Sequence, residues 1–544
     1  MRYLSENKRE DMRMKKRTAA RSMAALMGAA MVLTACGGGN TTAPTTGASS
    51  GGETQTASES AESGKITKTD IVVGQASDIV TLDPAGQQDT TSGVLMKHAY
   101  STLLDVDNEG KVVPDLAESY EMKSDTEYVF KLREDACFWD GTPVTAQDVK
   151  FSLDRAKGMP KTKSNTSKIE EGTVNGDHEV TIKLTEPYAA FKTIVTQHNL
   201  SILSEKAVTE AGDSYGDVDN LLGSGPFKVT EWVPNDHYTL VRNDNYWGEM
   251  PIATSITCRV IPEGSARTIA LEAGEIDVVW SVDPTDCANV ESNPDVKLLS
   301  QPSTGIDYVG MNTQKEKFSD KRVRQAINYA LDKQTFVDTI IEGRGLVANS
   351  YINAAIPGWT DEVEAYPYDP EKAKELLAEA GYPDGFECSI FVNGDLRTRS
   401  AQILQAQLAD VGIKVDISTY EWGALLDTLN AGEHEMFLLG WSNTSFDPDG
   451  STYQLFYSGN HGATGNRAFF SNDKVDELIL SAQRESEESK RMELYKELQF
   501  VLHEESPWCP LYYKENNVGV RADLKGFTLH AGAQHYLGNC HYEE

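Results

Sequence analysis

The sequence has no uninterrupted apolar run of 18 residues anywhere along its 544 positions. A permanent membrane-spanning helix, which needs about 20 such residues, is therefore excluded. Cysteine is scarce: there are seven, and no two form a C-x-x-C. Small disulfide scaffolds and thiol-redox motifs are thus ruled out, while it stays open whether Cys137, Cys258, Cys287, Cys388, Cys509 and Cys540 pair. Positive charge is in deficit, with 50 Lys and Arg against 83 Asp and Glu and a formal net charge of −33. Such a surface repels nucleic acid and anionic lipid. The ten histidines show no tight ligand spacing and H-E-x-x-H is absent, so no metal or other cofactor is expected. The one G-x-S-x-G, Gly47 to Gly51, lies in Gly/Ser/Thr-rich sequence without the strand and helix a nucleophile elbow requires.

What is present begins at the N-terminus. Arg13, Lys15, Lys16, Arg17 and Arg21 precede the uncharged stretch Met23 to Leu33, and Leu33-Thr34-Ala35-Cys36 follows. Basic, short-apolar, small-residue order is the layout of a secretory signal. The last four residues resemble the lipobox of bacterial lipoproteins, in which cleavage precedes the cysteine and the thiol is lipidated. Residues 1–35 are thus read as a signal peptide, with translation starting at Met1, Met12 or Met14, and Cys36 as the lipidation site. The segment 37–65 has no large apolar residue and reads as a flexible tether spanning about 30 Å.

Beyond it, strand-like and helix-like runs alternate without a short repeat, as in an α/β protein. Ile71-Val72-Val73, Tyr128 to Leu132 and Val180 to Leu184 read as strands. Thr145 and Asp148 open a helix, Asp369-Pro370-Glu371 opens another that stops at Gly381, and Gln402 to Ala409 leads into a strand over Ile413 to Ile417. Lys490 to Glu505 reads as the last strong helix. Trp139-Asp140-Gly141-Thr142-Pro143 reads as a turn, and Gly223-Ser224-Gly225-Pro226 as a close passage of two segments. Arg324 reads as a brace for the fold. Asp105 to Gly110 begins like a calcium loop, but position twelve is Leu116, so a hairpin turn is expected.

In order along the chain come Leu82-Asp83-Pro84, Val113 to Tyr120, Phe130 to Arg133 before Trp139 to Ala146, Gly223 to Phe227, Arg242 to Trp247, Phe318 to Ala326 and Ala380 to Gly385. Together these stretches resemble the large solute-binding proteins of ABC importers, the dipeptide-, oligopeptide- and nickel-binding family, from about Asp70 to Asn517. The resemblance implies a two-lobed periplasmic-binding-protein-like fold with a cleft and mixed sheets flanked by helices. It also implies three domains: 66–102 with 205–302 and 506–544, then 103–204, then 303–505. The segment Pro510 to Tyr513 would return as a strand to a sheet already formed.

The same resemblance places ligand contacts. Trp422 and Trp441 match aromatic positions lining the peptide pocket of relatives, although both also suit a core. Thr90, Thr91 and Ser92 match a loop lining the cleft. Arg397 or Arg399 would pair with a ligand carboxylate, or else begin a solvated helix. Relatives anchor the ligand's α-amine with an aspartate three residues after the second Trp; here that residue is Thr444. Asn443, Ser445 and Asp447 flank it as candidate contacts, with Asp447 aligned to an acid that shapes the loop, and Asp449 follows. A buried ammonium needs a carboxylate, so another acid substitutes or the ligand has no free amine there. The implied function is an extracytoplasmic, lipid-anchored, monomeric binding protein that is not an enzyme. It would deliver short peptides to a membrane permease, with no nucleic-acid partner. A peptide sensor or chaperone, import of a metal complex or sugar, and a surface hydrolase are the alternatives.

Overall fold

In the computed structural model the described residues are 65–544; the signal, Cys36, nearly all of the tether and the discarded G-x-S-x-G lie outside them. An eleven-stranded mixed sheet organises the chain. Its order is Ile413–Thr419, Phe386–Val392, Met436–Ser442, Val296–Met311, Trp508–Arg521, Val278–Val279, Asp70–Gln75, Ser255–Val260, His237–Arg242 and Phe227–Val233, with Gly345–Val347 added on Trp508–Arg521. Two members are exceptional. Val296–Met311 has 16 residues and Trp508–Arg521 has 14, against a usual strand of about 5–6. They pair antiparallel with register shifts between Pro302 and Ile306 and between Asp307 and Tyr308. Pro510, which has no N–H to give a ladder, sits opposite the second shift. The segment Pro510 to Tyr513 thus joins an existing sheet as expected.

Separate cores flank this pair. Ile71, Leu95, Tyr238, Ile256, Val518 and Leu537 belong to one. Val309, Ile327, Leu404, Ile413 and Leu438 belong to a second, and Ile352, Leu425, Leu439 and Tyr495 to a third. A fourth lies under the antiparallel four-stranded sheet ordered Ala117–Ser124, Glu127–Leu132, Glu179–Leu184, Ile169–Gly176. There Tyr128, Phe130, Leu132, Val180, Ile182 and Leu184 are buried while their neighbours are less so, the period of two that puts alternate side chains on one face. The ends of the described chain meet: Ile66–Lys68 pairs with Tyr542–Glu543.

Local signals act as read. Thr145 and Asp148 form a reciprocal capping box on Ala146–Lys157. Asp369 caps Pro370–Glu379, and Gly381 takes φ +95° beyond its end. The helix expected from Gln402 starts earlier, as Gly394–Ala409, and so includes Arg397 and Arg399; the last helix is Glu488–Glu505. An added Cβ on Gly223 would lie 2.1 Å from Ala99 O, and one on Gly225 2.5 Å from Ala99 C, so the two segments do pass closely. Arg324 donates to the carbonyls of Glu505, Phe318 and Ser319 and braces two helices. Asp107 closes the hairpin Leu104–Val106/Val112–Pro114 by accepting from Glu109 N and Lys111 N. The six cysteines of the described residues are all free.

Candidate ligand-binding site

A cavity of about 390 Å³ is lined by residues from 77–284 and 514–535 on the one hand and from 341–467 on the other. Side-chain bonds cross between the two sets. Tyr188 donates to Asp449 Oδ2 at 2.6 Å and Arg399 to Asp283 Oδ2 at 2.6 Å. Thr444 donates to Gln197 Oε1 at 2.8 Å, Gln88 donates to Thr464 O at 3.4 Å, and Gln454 donates to Asn165. Polar bonds of this kind each contribute about 1 kcal/mol net.

Both expected tryptophans line the cavity. Trp441 ends the apolar strand Met436–Ser442 and is fixed by Nε1 donating to Gly450 O at 3.0 Å. Trp422 begins the helix Trp422–Asn430, and its Nε1 is buried without a partner. Each packs with one edge on the core and offers the rest to the cavity. Both rings therefore touch the core and the cavity at once. The Arg397 guanidinium lies 5.9 Å from the Trp422 ring centre and donates to Asn393 Oδ1 at 2.8 Å. It lines the cavity; Arg399 does not, being spent on Asp283.

Thr90, Thr91 and Ser92 are not a loop but the first turn of the helix Thr90–Ala99, capped by Asp89. Thr90 and Thr91 reach the cavity. Ser92 is fully buried, accepts from Val80 N and turns away from the cavity. The Thr444 loop divides similarly. Thr444 lines the cavity, while Asn443 is buried and donates to Asp447 O and Ser451 Oγ. Ser445 donates to Asn443 Oδ1. Asp447 takes a bidentate pair from Arg491 at 2.9 and 2.5 Å. These three side chains hold the loop from behind, because each buried polar group finds its partner inside the loop, in the helix Asp449–Phe456 or, for Asp447, in Glu488–Glu505. Asp449 accepts from Tyr188 and Gln483. Burial, with Asp447 beside it, pushes its pKa up to about 6.

Sequence reasoning missed much of the lining: Gln87, Gln88, Asp89, Asn165, Gln197, Asn199, Arg344, Arg467, Lys514 and Glu515. Half of these are neutral amides with no local sign at all; for a charged one such as Arg467 the only sign is an isolated charge before the apolar Ala468, Phe469 and Phe470. Asp89 uses Oδ1 to cap its helix through Ser92 N; Oδ2 is buried and unpartnered. Burial raises its pKa, the Ser92 bonds opposing this. Burial also pushes the lining His198 and His535 down to about 3, so neither carries charge at neutral pH. No group of three metal-binding side chains occurs among the described residues, and no described helix is long and apolar enough to cross a membrane.

A cavity lined by segments distant in sequence, with two long strands running between separate cores, defines the class: an α/β binding protein of the periplasmic peptide-binding fold. The chain belongs to the bacterial extracellular solute-binding proteins, family 5, whose model matches residues 111–463. It is 31% identical over 479 residues to the glutathione-binding protein GsiB of Escherichia coli K12, covering 85% of this chain and 92% of that one. It is 30% identical over 470 residues to the dipeptide-binding protein of the same strain, covering 80% and 86%. Among solved structures, the DppA periplasmic binding protein of Helicobacter pylori in complex with the peptide STSA superposes with a TM-score of 0.84. That match has 28% identity and covers 88% of this chain and 99% of that one.

Proposed function

We propose that this chain captures short peptides in the cavity and delivers them to an ABC permease while held to the membrane by lipid on Cys36. The observation that carries the reading is a 390 Å³ cavity lined by Trp422 and Trp441 and by several side-chain amides, with Arg397 near one ring. Flat aromatic rings cover side chains without choosing their polarity. Amides bond to peptide groups, and a guanidinium takes a carboxylate in two parallel bonds. Arg397 is assigned to the peptide's terminal carboxylate, and Trp422, Trp441, Thr90, Thr91 and Thr444 to direct contact. The domains 66–102 with 205–302 and 506–544, then 103–204, then 303–505, are assigned as the moving bodies, with the register shifts at Pro302 and Tyr308 as the place where the long strands bend. No step of catalysis is assigned.

Native mass spectrometry of protein purified without denaturation should show a peptide mass that disappears after unfolding and refolding. Adding the identified peptide back should raise the melting temperature, since a ligand that binds only the native state stabilises it. A protein that shows no retained mass and no shift with any peptide pool would refute capture. Cys36→Ser should release the protein from washed membranes; unchanged retention would refute the anchor.

A further inference from the structure

Four cationic side chains line the cavity, and they are not equivalent. Arg344 is paired with Glu291 at 2.7 Å and Lys514 with Asp307 at 2.9 Å. Arg397 and Arg467 have no carboxylate within ion-pair distance among the described residues; each bonds instead to an amide oxygen, Asn393 Oδ1 at 2.8 Å and Asn430 Oδ1 at 3.0 Å. Arg467 is the more demanding of the two. It is 6% exposed, and only its Nε has a partner. The remaining N–H groups of a guanidinium, which carries five donors in all, find no acceptor among the described residues. Its main chain is pinned by His434 Nε2 donating to Arg467 O at 2.8 Å, so the side chain is held where it is.

The surroundings do not neutralise it. Asp89 is the one carboxylate in electrostatic reach of Arg467, and that acid is shared with Lys161, which Asp427 also faces. The buried Tyr308 lies in electrostatic reach of both Arg397 and Arg467, and both guanidinium groups line the cavity. An unpaired buried charge is costly. An anion in the cavity would relieve both.

We infer that the captured peptide carries a second carboxylate, from an acidic side chain or an equivalent group, and that Arg467 is the residue that selects it. This rests on the peptide reading above, in which Arg397 takes the terminal carboxylate. Arg467 then adds two parallel charge-assisted bonds in a site where a neutral amide leaves its donors unmatched.

The test is calorimetric titration with alanine-based tripeptides carrying Glu at the first, second or third position, each beside its Gln counterpart. At least one Glu peptide should bind about ten- to a hundred-fold more tightly than its Gln twin. Arg467→Gln should collapse that ratio towards one, and Arg467→Lys should restore part of it. Equal binding of Glu and Gln peptides at all three positions overturns the second carboxylate but leaves peptide capture standing. Binding by none of the six overturns both. An Arg467→Gln protein that weakens Glu and Gln peptides equally shows a merely structural arginine and also overturns the inference. Should that variant not fold, the Glu-to-Gln ratio of the unmodified protein decides alone.

Discussion

The wall of the cavity built from residues preceding 300 presents Gln87, Gln88, Asn165, Gln197 and Asn199, one carboxylate, Asp89, and one large ring, Trp280. The wall built from residues 341–467 holds Trp422, Trp441 and all three lining arginines, with one side-chain amide, Gln454, while Lys514, Glu515, Asn516, Asn517 and Gln534 come from the returning segment after 506. Side-chain amides both donate and accept, so they serve the backbone of any peptide and discriminate little. Rings and guanidinium groups set size, shape and charge. On the proposed reading, the difference assigns affinity for a peptide as such and choice among peptides to opposite sides of one cavity. A peptide held between the two walls would have to satisfy both.

The largest effect should come from stripping the second wall of its rings. Trp422→Ala and Trp441→Ala should each weaken peptide binding about ten- to a hundred-fold, and the double variant more, measured by calorimetry. Losses no greater than those from a single amide on the first wall would erase the asymmetry. Next, Arg397→Gln should weaken peptides with a free C-terminus about tenfold or more, while their C-terminally amidated forms change little. Equal losses for both forms would remove Arg397 from the carboxylate.

A smaller effect concerns the bonds between the walls. Asp449 has its pKa pushed up to about 6, above its unfolded value of about 4. The native state therefore holds a proton that the unfolded chain has released. This contribution favours the fold less as pH rises from about 4 to about 6, and is constant above that. Asp449→Asn should flatten the pH dependence of the melting temperature across that window. An unaltered slope would show that Asp449 does not titrate there. The smallest change is Thr444→Asp, which exchanges a hydroxyl bond to Gln197 for a carboxylate. Free-amine peptides should gain severalfold over acetylated ones, and no gain would place the ammonium elsewhere in the cavity.

Much of the fold was legible because its signals are local. Caps at Thr145 and Asp369, the turn at Asp140-Gly141 and the alternation in Glu127–Leu132 need only neighbours a few residues away. The site was legible only where a recognisable stretch carried it, as with Trp422, Trp441 and Arg397. Asn443, Ser445 and Asp447 show why the rest was not. In sequence they are polar residues beside Thr444, but buried polar groups turn towards whatever completes their bonds, and here that was the loop itself and Arg491. Ser92 was lost in the same way, to Val80 N. Arg467 was missed for the opposite reason: its importance lies in partners it does not have, and pairing across distant segments leaves no periodicity to read.

The placement of Trp508–Arg521 between Val296–Met311 and Val278–Val279, with Tyr542–Glu543 closing on Ile66–Lys68, also governs the order in which this molecule can be made. The middle of the eleven-stranded sheet stays open until Trp508–Arg521 has emerged, and the first described strand waits for Tyr542–Glu543. Contacts this distant in sequence are slow to form. A chain emerging from its N-terminus can therefore complete the four-stranded sheet of residues 117–184 early, but gains the central strand of the eleven-stranded sheet only once Trp508–Arg521 has emerged.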